Sequence, residues 1–184
     1  RLHRLSEGVP LFLEQTLNGL LEESGDQTIG RFDSKALANA PVPDTISELL
    51  LRRIESRSEP EQEIIRILAV WNRPCQLATI AQLVDLSQQD TSRILHTLRI
   101  RQIVDRFIED DMEVFALVHA HLRTTVYDHI NQTERCTYHG RIANILQERK
   151  SDRSIWPQIS MHLAKAQRAQ EALEFGLVAV ADLD

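Results

Sequence analysis

The sequence predicts a mainly α-helical chain with one small β-hairpin, arranged in three consecutive parts. Apolar residues recur at helical spacing along most of the 184 residues. Two short runs of β-forming residues lie close together near the middle, at 103–108 and 114–118. Between 25 and 43 the periodicity stops and Gly, Asp, Ser, Asn and Pro accumulate, which predicts a long loop.

Composition places the chain among globular proteins. Apolar residues make up 42% and charged residues 26%, which are ordinary values for a folded domain. No apolar run approaches the roughly twenty residues of a membrane span, so we expect no membrane partner. Cys75 and Cys136 lack metal-ligand spacing and are typical of free thiols in a reducing cytoplasm. The start at Arg1, without Met or a signal-peptide core, suggests a fragment of a longer protein.

The first part, 1–57, is predicted to be a helical segment interrupted by the loop 25–43. Gly8 suits the end of one helix and Pro10 the first turn of the next. The helix from 10 to 24 has one apolar face, formed by Leu13, Leu17, Leu20 and Leu21. Thr45 and Glu48 have capping-box spacing, with Asp44 an equally good cap. The helix that they open buries Ile46, Leu49, Leu50 and Ile54.

The second part, 58–118, has the element order of a winged helix. Ser58 and Glu61 repeat the capping signal before a helix that ends at Asn72-Arg73-Pro74. A short helix is predicted over 77–85, and Ser87 caps a longer one that runs to Ile100. The two β runs follow, joined by a turn at Glu109-Asp110-Asp111-Met112. Three helices followed by a hairpin constitute the winged-helix order. The inner positions are Ile64, Ile65, Leu68, Ala69, Ile80, Leu83, Val84, Ile94, Leu95 and Leu98.

The third part, 119–184, is predicted to be helical. Leu122, Val126 and Ile130 share one helix face, and a later face is formed by Tyr138, Ile142, Ile145 and Leu146. Two further helices are predicted around 159–166 and 171–183. This last pair resembles the first hairpin of an α-solenoid of the tetratricopeptide type, so we expect more repeats beyond Asp184.

Catalytic and metal-binding motifs are weak in this chain. The glycine spacing of 25–32 matches a phosphate-binding loop, but the segment lacks the required Lys and Ser/Thr and follows a helix. The seven histidines lie scattered, which favours surface and packing roles over a zinc site. No strained turn presents a serine nucleophile. We therefore expect that the chain by itself is no enzyme and holds no metal.

The predicted helix after Ser87 is the candidate for contact with DNA. Arg93, His96 and Arg99 have the chemistry to contact bases and phosphates. Basic and acidic residues are nearly balanced around this helix, the hairpin turn is acidic, and the net charge of the chain is −6. DNA-binding surfaces are usually basic, so the pattern favours packing against protein over DNA binding. The side chains expected to be exposed are Gln88, Gln89, Thr91, Ser92, Arg93, His96 and Arg99.

Three motifs in order resemble the region after the nucleotide-binding core of STAND-class signalling ATPases, relatives of the AAA ATPases. Family members include activators of the maltose-regulon type with LuxR-type outputs and ATPase modules attached to cyclases or kinases. The motifs are Ser6-Glu7-Gly8-Val9-Pro10-Leu11-Phe12-Leu13-Glu14, Val42-Pro43-Asp44-Thr45-Ile46 with Leu49-Leu50 and Arg52-Arg53-Ile54, and Phe115-Ala116-Leu117-Val118-His119 with Leu122-Arg123 and Tyr127. Val9 departs from the family's usual Asn, so a polar role of that side chain is lost.

The resemblance implies specific nucleotide contacts in a full-length protein that binds ATP and ADP. Gly8 and Pro10 would form the turn between core and lid, with Pro10 near the adenine. His119 would touch the diphosphate of ADP and hold the inactive form, whereas His121 does not match that position. The alternative role of His119 is to cap or pack at a strand–helix junction.

The resemblance also implies partners and a function. The chain would couple the nucleotide state of an upstream core to downstream helical repeats or output domains, in transcriptional regulation or signal transduction, with homo-oligomers forming on activation. The alternative function is that of a winged-helix DNA-binding transcriptional regulator.

Overall fold

The computed structural model describes residues 46–181, apart from the side chains of Ile46, Leu49 and 177–181. Contacts along the chain divide it into two compact units, with the boundary in the sequence between Arg57 and Ser58. In the first unit the structure describes one helix, α1 (Ile46–Glu55), whose Leu50 and Ile54 are buried. The predicted helix 10–24, the loop 25–43 and the turn with Gly8 and Pro10 lie outside the described residues.

The second unit is mainly helical and contains a small antiparallel sheet. This outcome confirms the predicted mainly α class. In chain order its described elements are α2 (Glu59–Trp71), β1 (Cys75–Gln76), α3 (Leu77–Val84), α4 (Gln88–Ile100), β2 (Val104–Glu109), β3 (Met112–Leu117), α5 (Ala120–His129), α6 (Gln132–Gln147), a short 3-10 turn (Arg153–Ile155), α7 (Trp156–Lys165) and α8 (Ala169–Ala181).

Helix α2 begins and ends where the sequence predicts. The Glu61 carboxylate accepts hydrogen bonds from the Ser58 backbone N–H at 2.9 Å and from its hydroxyl at 2.8 Å. Pro60 stands in the first turn, where its missing N–H costs nothing. At the other end Asn72 adopts a left-handed conformation with φ 62°, which stops the helix. Most residues in the second half of the helix are buried and form the centre of the core: Ile64, Ile65, Ile67, Leu68, Ala69, Val70 and Trp71.

Helices α3 and α4 are joined by a tight turn. Asp85 is left-handed with φ 56°, and the Ser87 hydroxyl accepts a hydrogen bond from the Asp90 N–H at 3.1 Å, which caps α4. Ile80, Leu83, Leu95 and Leu98 are buried as predicted. Val84 and Ile94, also predicted to face inward, are only half-buried.

The sheet has three strands in the order β1-β3-β2, all antiparallel. The hairpin β2–β3 was predicted from the two β runs. The structure gives its register, which places Val104 opposite Leu117 and Glu109 opposite Met112. Strand β1 was not predicted; it pairs Cys75 with Phe115. Two residues give no alternating pattern that could distinguish a strand from a helix boundary.

The C-terminal helices pack in sequence onto this body. Helix α5 packs on α2, α6 packs on α2 and α3, and α7 lies between α6 and α8. Gln167, with φ 62°, turns the chain between α7 and α8. Helix α7 starts at Trp156, three residues before the predicted start, because Pro157 fits its first turn. Helices α7 and α8 approach closely at Gly176, where an added Cβ would lie 3.0 Å from Ser160 Oγ.

None of the helices in the described part of the chain is both long and apolar enough to cross a membrane.

Candidate functional site

Five of the seven polar side chains predicted to be exposed on α4 are exposed. Gln88, Gln89, Ser92, Arg93 and His96 are exposed. Thr91 was predicted to be exposed but is fully buried, and its hydroxyl donates a hydrogen bond to the Ser87 carbonyl at 2.9 Å. Arg99 is half-buried. Two of the three candidate DNA-contacting residues, Arg93 and His96, are therefore exposed.

One arginine on α4 and one on the hairpin form ion pairs with nearby carboxylates. Arg93 forms an exposed ion pair with Asp90, with Nη1 3.4 Å from Oδ1. On the hairpin, Arg106 Nη1 lies 2.5 Å from Glu113 Oε1. Such exposed pairs add little stability. In each pair, however, a carboxylate stands beside the guanidinium, in the position that a DNA phosphate would need to take.

The hairpin tip is acidic, and its two central residues have positive φ values, which cost free energy in residues other than glycine. Asp110 and Asp111 occupy its two central positions with φ 49° and 61°. Two successive positive φ values between the paired residues Glu109 and Met112 define a type I′ turn, which favours Asn-Gly. Three consecutive carboxylates, including that of Glu109, thus project from the tip.

Large apolar side chains are exposed beside this acidic tip. Phe107, Ile108 and Met112 expose 43%, 63% and 51% of their surface. Phe107 and Met112 share one face of the hairpin, since side chains alternate along a strand and Phe107 is two residues from Glu109, the partner of Met112. Ile108 lies on the other face. We call the six residues 107–112 the hairpin surface.

Strand β2 is an edge strand of the described sheet. Five of its six residues are exposed. The Asp105 carboxylate accepts a hydrogen bond from the Arg106 backbone N–H at 2.7 Å. This local bond occupies a backbone donor that an added strand would need, and edge strands are commonly protected in such ways.

His119 lies at the junction between β3 and α5, where it is the N-cap residue of α5. Its backbone is extended, with φ −130° and ψ 137°, and its carbonyl accepts the Arg123 N–H at 3.1 Å. The half-buried imidazole makes no capping hydrogen bond to the described residues. His121 is exposed in the first turn of α5. The two side chains therefore have different surroundings, whereas Gly8 and Pro10 lie outside the described residues.

A buried pair of histidines, not predicted from the sequence, joins three C-terminal helices. His139 of α6 and His162 of α7 are 1% and 3% exposed, and their Nδ1 atoms lie 2.8 Å apart. The Nε2 atom of His139 lies 3.0 Å from the hydroxyl oxygen of Tyr127 on α5. Burial lowers the pKa of His139 to about 4 and that of His162 to about 3. Both rings are therefore neutral at pH 7.

A carboxylate on α2 organises a second polar contact between helices. Glu63 accepts hydrogen bonds from the Tyr138 hydroxyl at 2.6 Å and from Arg141 Nη1 at 3.0 Å, both on α6. Arg141 also donates to the Leu83 carbonyl of α3. Burial, together with the carboxylate of Glu63, raises the pKa of Tyr138 to about 12. These bonds hold α2, α3 and α6 in one arrangement.

A cleft of about 190 Å³ lies between the hairpin tip and the ends of α2 and α6. Glu109 and Asp110 line one side, and Arg73 and Arg149 contribute opposite charge. Trp71 and other apolar side chains also line the cleft. Pockets that take drug-sized ligands measure roughly 300–1,000 Å³, so this cleft is small for such a ligand.

Comparisons with known proteins identify no family for the chain. No protein-family model matches the sequence, and no curated protein matches it either. Within residues 46–181 no three His, Cys, Asp or Glu side chains form a group that could hold a metal ion.

Proposed function

We propose that the chain is a regulatory module of a nucleotide-dependent signalling ATPase, in which it couples the ATP or ADP state of an upstream core to downstream sensor or output domains. The order α2-β1-α3-α4-β2-β3, with β1 completing a three-stranded sheet, supports a winged helix. The paired helices α7 and α8 support the start of helical repeats. In this proposal the protein acts in the cytoplasm and forms homo-oligomers when activated.

The chemistry of the hairpin surface is the observation on which this proposal depends most. Phe107, Ile108 and Met112 leave large apolar areas in water, beside three consecutive carboxylates. Apolar side chains gain free energy when a protein partner covers them, at about 25 cal/mol per Å². Carboxylates at the same tip repel nucleic-acid phosphates. A protein partner satisfies both features.

The alternative function is that of a DNA-binding transcriptional regulator. Its support is the exposure of Arg93 and His96 on α4, the helix that would enter the major groove. The pairing of Arg93 with Asp90 and of Arg106 with Glu113 weighs against it. Releasing each arginine for a phosphate would first require breaking its ion pair, which would leave the carboxylate near the DNA.

His119 is the proposed contact to nucleotide. Its imidazole stands at a strand–helix junction without a capping hydrogen bond to the described residues, so a donor remains available for an ADP phosphate. Rotation of the winged helix relative to the upstream nucleotide-binding core would move the imidazole away from the phosphate. Gly8 and Pro10 are proposed to form the turn between core and lid, with Pro10 near the adenine.

The full-length protein provides the test of this coupling. Ile108→Asp places a charge on the exposed hairpin surface without changing the core. If this surface contacts the nucleotide-binding core, ADP should dissociate about fivefold faster or more, since contacts of this kind contribute about 1 kcal/mol each. The conservative variant Ile108→Val, which keeps the apolar surface and the β propensity, should leave the dissociation rate unchanged.

Two outcomes would overturn the proposal. The first is a full-length protein without a phosphate-binding loop upstream of Arg1. The second is equal ADP dissociation from the wild-type, Ile108→Asp and Ile108→Val proteins, each shown to be folded by circular dichroism.

A further inference from the structure

We propose that the His139–His162 pair is a proton-sensitive latch, which holds helices α7 and α8 against α6 and releases them on acidification before the rest of the second unit unfolds. The inference is independent of the nucleotide-related function. It starts from geometry: two imidazoles from different helices are buried, face each other through their Nδ1 atoms at 2.8 Å, and are tied to a third helix through Tyr127 at 3.0 Å.

The short distance between the two Nδ1 atoms requires one proton between them. One ring must donate an N–H and the other must accept with a bare nitrogen. Tyr127 completes the chain in either direction, because its hydroxyl can donate to or accept from Nε2 of His139. In a neutral pair both Nδ1 atoms and the Nε2 atom of His139 thus have hydrogen-bond partners inside the protein.

Added protons destabilise this arrangement in two steps. The first proton can keep the hydrogen bonds but places a positive charge in a site that water does not reach. A second proton puts hydrogen on both Nδ1 atoms, so the bond between His139 and His162 is lost and two cations face each other. Either step favours separation of α7 from α6.

The charged groups around the latch increase the penalty. Lys165 of α7 has its Nζ 5.4 Å from the centre of the Tyr127 ring, and Arg135 of α6 has its Cζ 5.1 Å from it. Arg73, just after α2, also acts on His162. All three groups are cations and all lower the pKa of the histidine that they act on. From α2 itself the neutral ring of Trp71 faces His162, with centroids 6.4 Å apart.

The position of the histidine pair explains why acidification should release α7 and α8 without unfolding the rest of the second unit. Ile159 and Leu163, the fully buried residues of α7, lie on the same helix as His162, so they leave together with it. The core of α2, α3 and α4 is apolar, with Ile64, Ile80 and Leu95 fully buried. Protonation therefore acts directly on the attachment of α7 and only indirectly on this core.

The direction of the pH dependence follows from the lowered pKa values. In the released state the two histidines regain an ordinary pKa near 6.5, whereas in the docked state they titrate at about 4 and about 3. Between these limits the released state binds more protons, so docking weakens as pH falls from about 6.5 to about 4. Docking is at full strength above pH 7.

Amide hydrogen exchange on the whole chain tests the latch. After correction for the intrinsic pH dependence of exchange, protection of amides in α7 and α8 should fall on the order of a hundredfold between pH 7 and pH 5. Protection in α2 and α4 should change much less. The double variant His139→Gln, His162→Gln should lose this pH dependence, whereas His96→Gln, at an exposed position on α4, should retain it.

Three results would overturn the proposal. Protection in α7 and α8 that is the same at pH 5 and pH 7 would show that the pair does not control docking. An equal loss of protection in α2 and α7 would show global acid unfolding. If the double variant does not fold, the exchange profile of the wild-type and His96→Gln proteins still decides between local and global opening.

Discussion

At the scale of single residues, hydrogen bonds between helices explain much of the arrangement of the second unit. Glu63 reaches from α2 to Tyr138 and Arg141 on α6, and His139 joins α6 to α7. A half-buried carboxylate that loses its partners remains desolvated, so such contacts specify one arrangement of helices over others. His119 is different, because its imidazole makes no capping bond to the described residues.

This difference leads to a prediction about ADP. In the full-length protein, His119→Ala should speed ADP dissociation by on the order of tenfold, because a hydrogen bond from imidazole to phosphate contributes about 1–3 kcal/mol. The fold should survive, since His119 contributes to the N-cap only through its backbone carbonyl. The exposed His121 provides a matched control two residues away, and His121→Ala should have little effect. Stopped-flow release of a fluorescent ADP analogue measures both rates.

Equal and negligible effects of the two substitutions would reduce His119 to a packing residue at the strand–helix junction. The proposed function would then depend on the hairpin surface alone.

At the scale of elements, local signals predicted the boundaries best where a short-range interaction determines them. Ser58 with Glu61 marked the start of α2, and Ser87 marked that of α4. The hairpin turn was also visible, because two β runs flank the three consecutive acidic residues 109–111. Strand β1 was missed because two residues carry no periodicity, and its pairing with β3 depends on residues about forty positions away.

The hairpin turn also supports a prediction on stability. Asp110→Asn with Asp111→Gly should raise the free energy of unfolding by about 1 kcal/mol, since Asn-Gly suits the positive φ values that aspartates adopt only at a cost. Urea denaturation followed by circular dichroism measures the change. The double variant Asp110→Asn, Asp111→Ala serves as control: it removes the same two charges but keeps a Cβ at position 111, so it should stabilise much less. If Ala stabilises as much as Gly, charge repulsion rather than backbone strain is the cost.

At the scale of the whole molecule, the mainly helical class was predictable from composition and periodicity, but the buried histidine pair was not. His139 and His162 lie 23 residues apart in sequence and meet only because α7 packs on α6. A signal was present: His139 shares a helical face with Ile142 and Leu146, and His162 precedes the buried Leu163. A histidine on an apolar face has several possible partners, and the sequence does not indicate which one it meets.

The placement of side chains on α4 shows the same limit. Helical spacing placed Thr91 among the exposed residues, yet its hydroxyl is satisfied by the Ser87 carbonyl and its side chain is buried. For Arg93 and Arg106 the sequence showed only that basic and acidic residues are nearly balanced in this region, and it did not identify the ion pairs. Which carboxylate neutralises which arginine depends on the register of the hairpin and on the side-chain geometry of α4.

The central claim is that the surface formed by α4 and the hairpin contacts protein and not DNA. The most direct measurement is fluorescence anisotropy of a labelled DNA duplex pool titrated with the 184-residue chain at low salt and then at increasing salt. We expect binding no tighter than about 10⁻⁴ M, with a shallow dependence on salt, because Arg93 and Arg106 are paired with carboxylates and the tip is acidic. Submicromolar binding with a steep salt dependence, lost in the Arg93→Ala, Arg99→Ala double variant, would contradict this account and establish the chain as a DNA-binding regulator.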